Sequence, residues 1–227
     1  MSAPAAPVID AEHQRPLRGR LDVVDFLRGL VMVLMALDHI RDYLHETEIG
    51  PTDLTQTTVP FFFTRWITHF CAPVFMLLAG VGISLGLASG KSKLEQAGYL
   101  LVRGLWLVVL EATVVRLCWC FRFEFLPVFA LVIWAIGWSM VIHSALIFLP
   151  VRAITAIGIV LIIGHNAFDG WKSSDFGAYG WLWGLLHAPG PISSGRVFIF
   201  VGYPLIPWVG VMSAGVGLGE LLQLPSE

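Results

Sequence analysis

Charge is what this sequence has least of. Only 13% of its 227 residues are Asp, Glu, Lys or Arg, the formal net charge is −2, and no basic block runs along the chain. Nucleic-acid binding draws on clustered Lys and Arg against phosphates, so that class of partner is excluded. Cysteine is scarce as well: Cys71, Cys118 and Cys120 are the three present. Cys118 and Cys120 stand too close in sequence to bridge comfortably, and none of the three has the paired spacing of a zinc site. A secreted disulfide scaffold is therefore excluded, no metal is expected, and the cysteines read as apolar packing residues. There is no fixed-period repeat and no low-complexity tract. A cleavable leader is not expected either. The run from Val23 to about Leu44 imitates the apolar part of a signal peptide, yet Asp38, His39, Arg41 and Asp42 occupy the place of a small-residue cleavage site.

Apolar residues are what the chain has in excess. They make up 56% of it, with a mean hydropathy of +0.76, more apolar surface than a globular domain of this size can hide. Runs of about 20 apolar residues, the length that crosses a hydrocarbon core of about 30 Å, recur along the chain. The expected fold is all-α, a polytopic integral membrane helical bundle. Its tail, residues 1–22, precedes a domain over 23–222, and residues 223–227 follow as a C-terminal tail. About six transmembrane helices are expected, near residues 23–44, 66–89, 97–119, 125–149, 153–168 and 197–218, with a Gly- and Trp-rich connector over 169–196. Small-residue steps such as Gly82, Gly86 and Gly90 would let helices pack closely.

Arg15, Arg18 and Arg20 precede the first span, and Lys91 and Lys93 lie in the next loop on that side. The stretch after span one is acidic through Asp42, Glu46, Glu48 and Asp53. The positive-inside rule then places both termini in the cytoplasm and the connector outside, where Trp171, Tyr179, Trp181 and Trp183 fit an interfacial aromatic belt. Stacking on a substrate is their alternative reading.

An Arg or Asp in mid-span costs about 2.5–3.5 kcal/mol on insertion scales and needs a partner or a task. Asp25, Arg28, Met32, Met35, His39 and Asp42 alternate by three and four residues, which keeps them on one helical face. Arg28 and His39 are then nearly eclipsed and roughly 16 Å apart along the axis. Asp25 and Arg28 also read as an i, i+3 ion pair that merely eases insertion. His39, beside Asp38, reads as a proton acceptor or relay near neutral pH. His69 opens the second span, and Glu111 lies deep in the third, where an interhelical partner such as Arg28 or His39 is expected. His143 reads as a packing histidine. Tyr203, Pro204 and Pro207 would interrupt the sixth span and free carbonyls toward a cavity.

The strings RLDVVDFLRGLVMVLMALDHIRD, RWITHFCAPVFMLLAG and YPLIPWVGVM occur in this order. The first, with Asp25, Arg28, Gly29 and His39, resembles the opening span of the transmembrane acyltransferase superfamily. Together they look most like the bacterial branch of the heparan-α-glucosaminide N-acetyltransferase catalytic-domain family, over roughly Arg20 to Leu221. The resemblance implies acetyl-CoA or another acyl-CoA as donor on the cytoplasmic side. It implies a glycan or amino-sugar acceptor on the other side, and a bacterial cytoplasmic (inner) membrane as the setting. On this reading Arg28, Asp25, Arg18, Arg20, Lys91 and Lys93 meet the acyl-CoA, and His39, oriented by Asp38, acts as base or acyl carrier. The lysosomal relative places its essential histidine in the stretch after the first span and has an amide at the position matching His39, so His39, His45 and His69 compete for that role, with His39 favoured by its position on the helix; Glu111 completes the candidate catalytic set. Family members generally continue into further spans, which leaves room for a homo-oligomer or a complementary membrane partner. The rival readings are a proton-coupled or solute transporter, a haem-b carrier using His39, His69, His143 and His165, and a non-catalytic membrane subunit.

Overall fold

The structure is a computed structural model that describes residues 11–44, 50–121, 123, 127–194 and 197–224, with the backbone alone for 11–21, 194 and 197. The described chain is mostly helical and divides into two compact units, Met1–Cys71 with Leu222–Glu227, and Ala72–Leu221.

In the first unit, helix α1 (Ala11–Leu44) starts well before Val23, so residues 11–22 of the expected tail continue the helix. Its less exposed side carries Val24, Arg28, Val31, Met35, Asp38 and Arg41, while Asp25, Met32 and Asp42 are exposed. The inward stripe is thus rotated by about one residue from the expected one, because the β-branched Val24 and Val31, both buried, set the packing face. A turn follows in which the Asp53 carboxylate accepts from the Thr55 hydroxyl (2.6 Å) and backbone N–H (3.0 Å), which holds its pKa below the usual value. Helix α2 (Val59–Thr68) begins with Pro60 in its first turn, where a missing N–H costs nothing.

In the second unit, α3 (Cys71–Ala88) is followed by a turn in which Gly90 adopts φ 82°. The next helix, α4 (Lys93–Leu110), is started by a reciprocal capping box. The Ser92 hydroxyl accepts from the Glu95 N–H at 3.2 Å, and Glu95 accepts from the Ser92 N–H at 2.9 Å. A π-helical turn (Glu111–Val115) and α5 (Arg116–Cys120) continue it until Phe121, at φ 50°, ends the run. Then come β1 (Val128–Ala130), α6 (Val132–Leu146), α7 (Val151–Gly164), α8 (Gly180–Leu186), β2 (Gly190–Ser194), β3 (Val197–Val201) and α9 (Leu205–Leu221). Helices α4 and α6 meet at two glycines: a Cβ on Gly104 would lie 2.6 Å from the Gly137 carbonyl oxygen, and one on Gly137 2.7 Å from that of Gly104. Gly158 of α7 meets Gly210 of α9, and Gly80 of α3 meets Gly215 of α9, in the same manner. Between these contacts Met76, Ile83, Leu100, Ala135, Met140, Ile154, Met212 and Val216 form the core. His143 sits within it, its Nδ1–H donating to the Ser139 carbonyl (2.7 Å) and its Nε2 accepting from the Ser213 hydroxyl (3.0 Å).

Three departures from the all-α expectation matter. First, β1, β3 and β2 form a small sheet in that order, with β1 parallel and β2 antiparallel to β3. Val197 to Val201 is a run of β-branched and aromatic residues long enough for a strand and too short to declare itself a helix. Its Phe200 meets Phe129 across the sheet at 6.5 Å. The sixth expected span therefore starts as a strand. Second, Pro204 precedes α9 and Pro207 lies in its first turn, so these prolines begin a helix and break none. Third, among the described residues two helical runs, Val59–Ala88 and Val151–Phe168, are long and apolar enough to cross a membrane, against the six spans expected, and Val132–Leu146 and Leu205–Leu221 are apolar but shorter. Only 11% of the apolar window of Val151–Phe168 is buried, so most of that helix's apolar surface is left uncovered by the described chain.

Candidate active site

The polar centre of the first unit is Asp38. Its Oδ1 accepts from the Thr68 hydroxyl at 2.6 Å and from an Arg41 guanidinium nitrogen, and both its oxygens lie 3.3 Å from Arg65 Nη1. Arg41 also donates to Asp42 at 2.8 Å. One turn of α1 separates Asp38 from Arg41, and three residues of α2 separate Arg65 from Thr68, so each helix presents two polar groups on one face. The four-residue cluster ties α1 to α2 and is largely dry: the Arg41 and Asp38 side chains are 10% and 16% exposed, Arg65 35%. Two carboxylates, Asp38 and Asp42, balance two guanidinium groups.

Arg65 faces two ways. Besides meeting Asp38, it lines a groove of about 350 Å³ with Thr52, Phe62, Trp66, His69 and Phe70. Edge-to-face contacts from Phe63 to Trp66 (6.1 Å) and from Trp66 to Phe70 (5.3 Å) stiffen one wall. The groove therefore offers apolar and aromatic surface, one cation held by a half-buried carboxylate, and one exposed imidazole, which suits a ligand with both a stacking face and polar edges.

Through Arg65 the structure joins two of the candidate residues, Asp38 and His69. His39 is half-buried on α1, and His45 lies outside the described residues. Neighbouring helix residues diverge, and the described hydrogen bonds of Asp38 go to Arg41, Arg65 and Thr68, giving its carboxylate a role in joining helices. Asp25 and Arg28 form the i, i+3 pair at 3.1 Å. Arg18 and Arg20 are helical in backbone, their side chains outside the described set. Lys93 donates to the Phe148 carbonyl at 3.2 Å, and Lys91 stands over the Tyr99 ring. Arg65, Thr68 and Arg41 are the site residues that sequence reasoning missed; the signal available was the i, i+3 spacing of Arg65 and Thr68 against that of Asp38 and Arg41. Among the described residues no three His, Cys, Asp or Glu side chains gather to hold a metal ion.

Glu111 is 1% exposed and opens the π-helical turn. The N–H groups of Leu131, Ile133 and Trp134, at the start of α6, face its carboxylate without closing a hydrogen bond of good geometry on either oxygen. The carboxyl thus faces the positive end of α6. In the connector, Trp171 and Trp183 pack with Phe168 and Phe176, and Phe176 stacks on Trp183 at 4.7 Å. Tyr179 and Trp181 are exposed. His187 Nε2 meets Asp169 Oδ1 at 3.1 Å beside the Trp183 ring.

These features define a helical protein with membrane-length apolar segments and a groove combining aromatic, basic and imidazole groups. Residues 20–226 match the family model described as heparan-alpha-glucosaminide N-acetyltransferase, catalytic, and the chain belongs to that family of membrane acetyltransferases. No curated protein and no solved structure matches it.

Proposed function

We propose that the chain transfers an acetyl or other acyl group from acyl-CoA, taken from the cytoplasm, to an amino sugar or glycan on the far side of a bacterial inner membrane. It would do so as a bundle of about six spans with both termini inside. The observation that carries this reading, beside family membership, is the groove that His69 and Arg65 line together, with Arg65 also bonded to Asp38. A thioester and an amine need three things from a protein: approach, removal of one proton, and stabilisation of the oxygen that becomes negative. His69 takes the proton from the acceptor nitrogen as it attacks the thioester carbonyl. The carbon–sulfur bond then breaks, and the departing thiolate recovers the proton. Arg65 supplies positive charge to the groove, and its bond to Asp38 fixes where that charge lies. Trp66, Phe62 and Phe70 supply the surface on which a sugar ring rests.

The test compares acetyl transfer from acetyl-CoA to glucosamine by the reconstituted chain and by His69→Asn, with His39→Ala in parallel. Loss of about 10²-fold or more in the first, with the second near wild type, is the expected result. Wild-type turnover by His69→Asn removes His69 from the role, and a loss confined to His39→Ala assigns the base to His39.

A further inference from the structure

Helix α4 carries a group that the reading above does not use. Arg103 is exposed, and its guanidinium donates to the Tyr99 hydroxyl and lies 5.7 Å from the centre of the Tyr99 ring. Lys91 Nζ stands 5.7 Å from the centre of the same ring. Among the described residues no carboxylate comes within ion-pair distance of Arg103 or Lys91, and the nearest acid, Glu95, is engaged in the cap with Ser92. Two cations thus flank one aromatic ring: Arg103 has no carboxylate within ion-pair distance among the described residues, and Lys91 acts on Glu95 only through its field, outside ion-pair distance.

Their surroundings are apolar. Tyr99, Val102, Arg103, Trp106 and Val109 fall on one stripe of α4, each three or four residues from another. Val102 is 69% exposed and Trp106 61%. In a helix that crosses a bilayer this stripe meets acyl chains, and an unpaired guanidinium on it is costly unless an anion reaches it. Side chains on a helix lean toward its N-terminus, so Arg103 is carried toward Tyr99 and Lys91, at the end of α4 that meets the interface. Tyrosine is at home at that depth. The order along the helix is therefore basic and phenolic first, then apolar and indole, which is the order of a phospholipid from phosphate to tails.

We propose that Lys91, Tyr99 and Arg103 bind the phosphate of an anionic phospholipid of the leaflet beside the start of α4, with the tails lying along Val102, Trp106 and Val109. The assignment rests on α4 being a membrane span, and on no part of the catalytic reading. A soluble phosphate, such as those of CoA, shares the headgroup chemistry but would leave the apolar stripe unused, and the test separates the two.

The full chain, purified in detergent, is titrated with phosphatidylglycerol or phosphatidylcholine and the retained lipid counted by native mass spectrometry, for wild type, Arg103→Gln and Lys91→Gln. One phosphatidylglycerol retained at least fivefold more than phosphatidylcholine, reduced to parity in Arg103→Gln and weakened in Lys91→Gln, is the expected result. Arg103→Lys, which keeps the charge and the fold's surface, should recover part of the binding. Equal retention in wild type and both Gln variants overturns the site. Displacement of the retained lipid by millimolar CoA overturns the lipid assignment in favour of a soluble phosphate. Failure of the chain to float with vesicles overturns the membrane-span reading on which the site depends, whatever the acetyl-transfer assay gives.

Discussion

Asp38→Asn is the perturbation that most sharply separates a joint between helices from a catalytic acid. The substitution keeps volume and one oxygen, which can still accept from the Thr68 hydroxyl, bonded to Oδ1 at 2.6 Å in the native side chain. It replaces the other oxygen with an NH₂ facing Arg65 Nη1, 3.3 Å away, so that donor meets donor. It also removes the charge that pairs Arg41 and Arg65. Breaking a buried pair by neutralising one partner costs about 3–5 kcal/mol. Because Arg65 is 35% exposed and can turn to water, solvent screening discounts this to about 2–3 kcal/mol in all. For a chain of this length that is a fall of roughly 4–12 °C in the temperature at which α1 and α2 separate. Thermal unfolding in detergent, followed by circular dichroism, measures it. Thr68→Val alone should cost about 1–2 kcal/mol, and the double variant should cost less than the sum, since the neutral amide accepts a weaker hydrogen bond from the Thr68 hydroxyl than the carboxylate does and leaves less for the second change to remove. Asp38→Asn unfolding within 1 °C of wild type, or costs that add without coupling, would refute the cluster as the tie between the helices.

Other consequences can be read from single contacts. Gly137→Leu puts a side chain where only the Gly104 carbonyl fits; it should push α4 from α6 and destabilise by about 1–3 kcal/mol or more, while Gly164→Leu, with nothing near its Cβ position, should be tolerated. The Ser92 N–H holds the Glu95 carboxyl below its ordinary value of 4.5, so its contribution is complete above that pH and is lost as pH falls through the folded value. Hydrogen-exchange protection of the first turn of α4 should therefore be level from pH 7 to 5 and decline below 4.5, and Glu95→Gln should flatten that decline.

Hydropathy located helices well and their ends poorly. Val59–Ala88 and Val151–Phe168 coincide with expected spans because a long apolar run has few other ways to satisfy its backbone. Val197 to Val201 was misread for a physical reason: five apolar residues satisfy either periodicity, and the partner that makes them a strand, Val128 to Ala130, lies some 70 positions earlier. Pro204 and Pro207 carried the needed signal, since proline belongs to the first turn of a helix as readily as it breaks one. The packing face of α1 was legible to within one residue. A seam drawn through His39 and Asp42 passes beside the one through Asp38 and Arg41 that packs on α2. Arg65 and Thr68 were not legible as partners of Asp38 because the packing of α2 on α1 is a tertiary contact that spacing along the chain does not show. Family membership was legible from three short strings, since it rests on order along the chain and not on contacts.

The most direct test of the central claim uses sealed proteoliposomes carrying the chain, with labelled acetyl-CoA outside and glucosamine inside. Labelled N-acetylglucosamine accumulating in the lumen in proportion to inserted protein is the predicted result. Folded, inserted protein that leaves the lumen unlabelled would contradict the account.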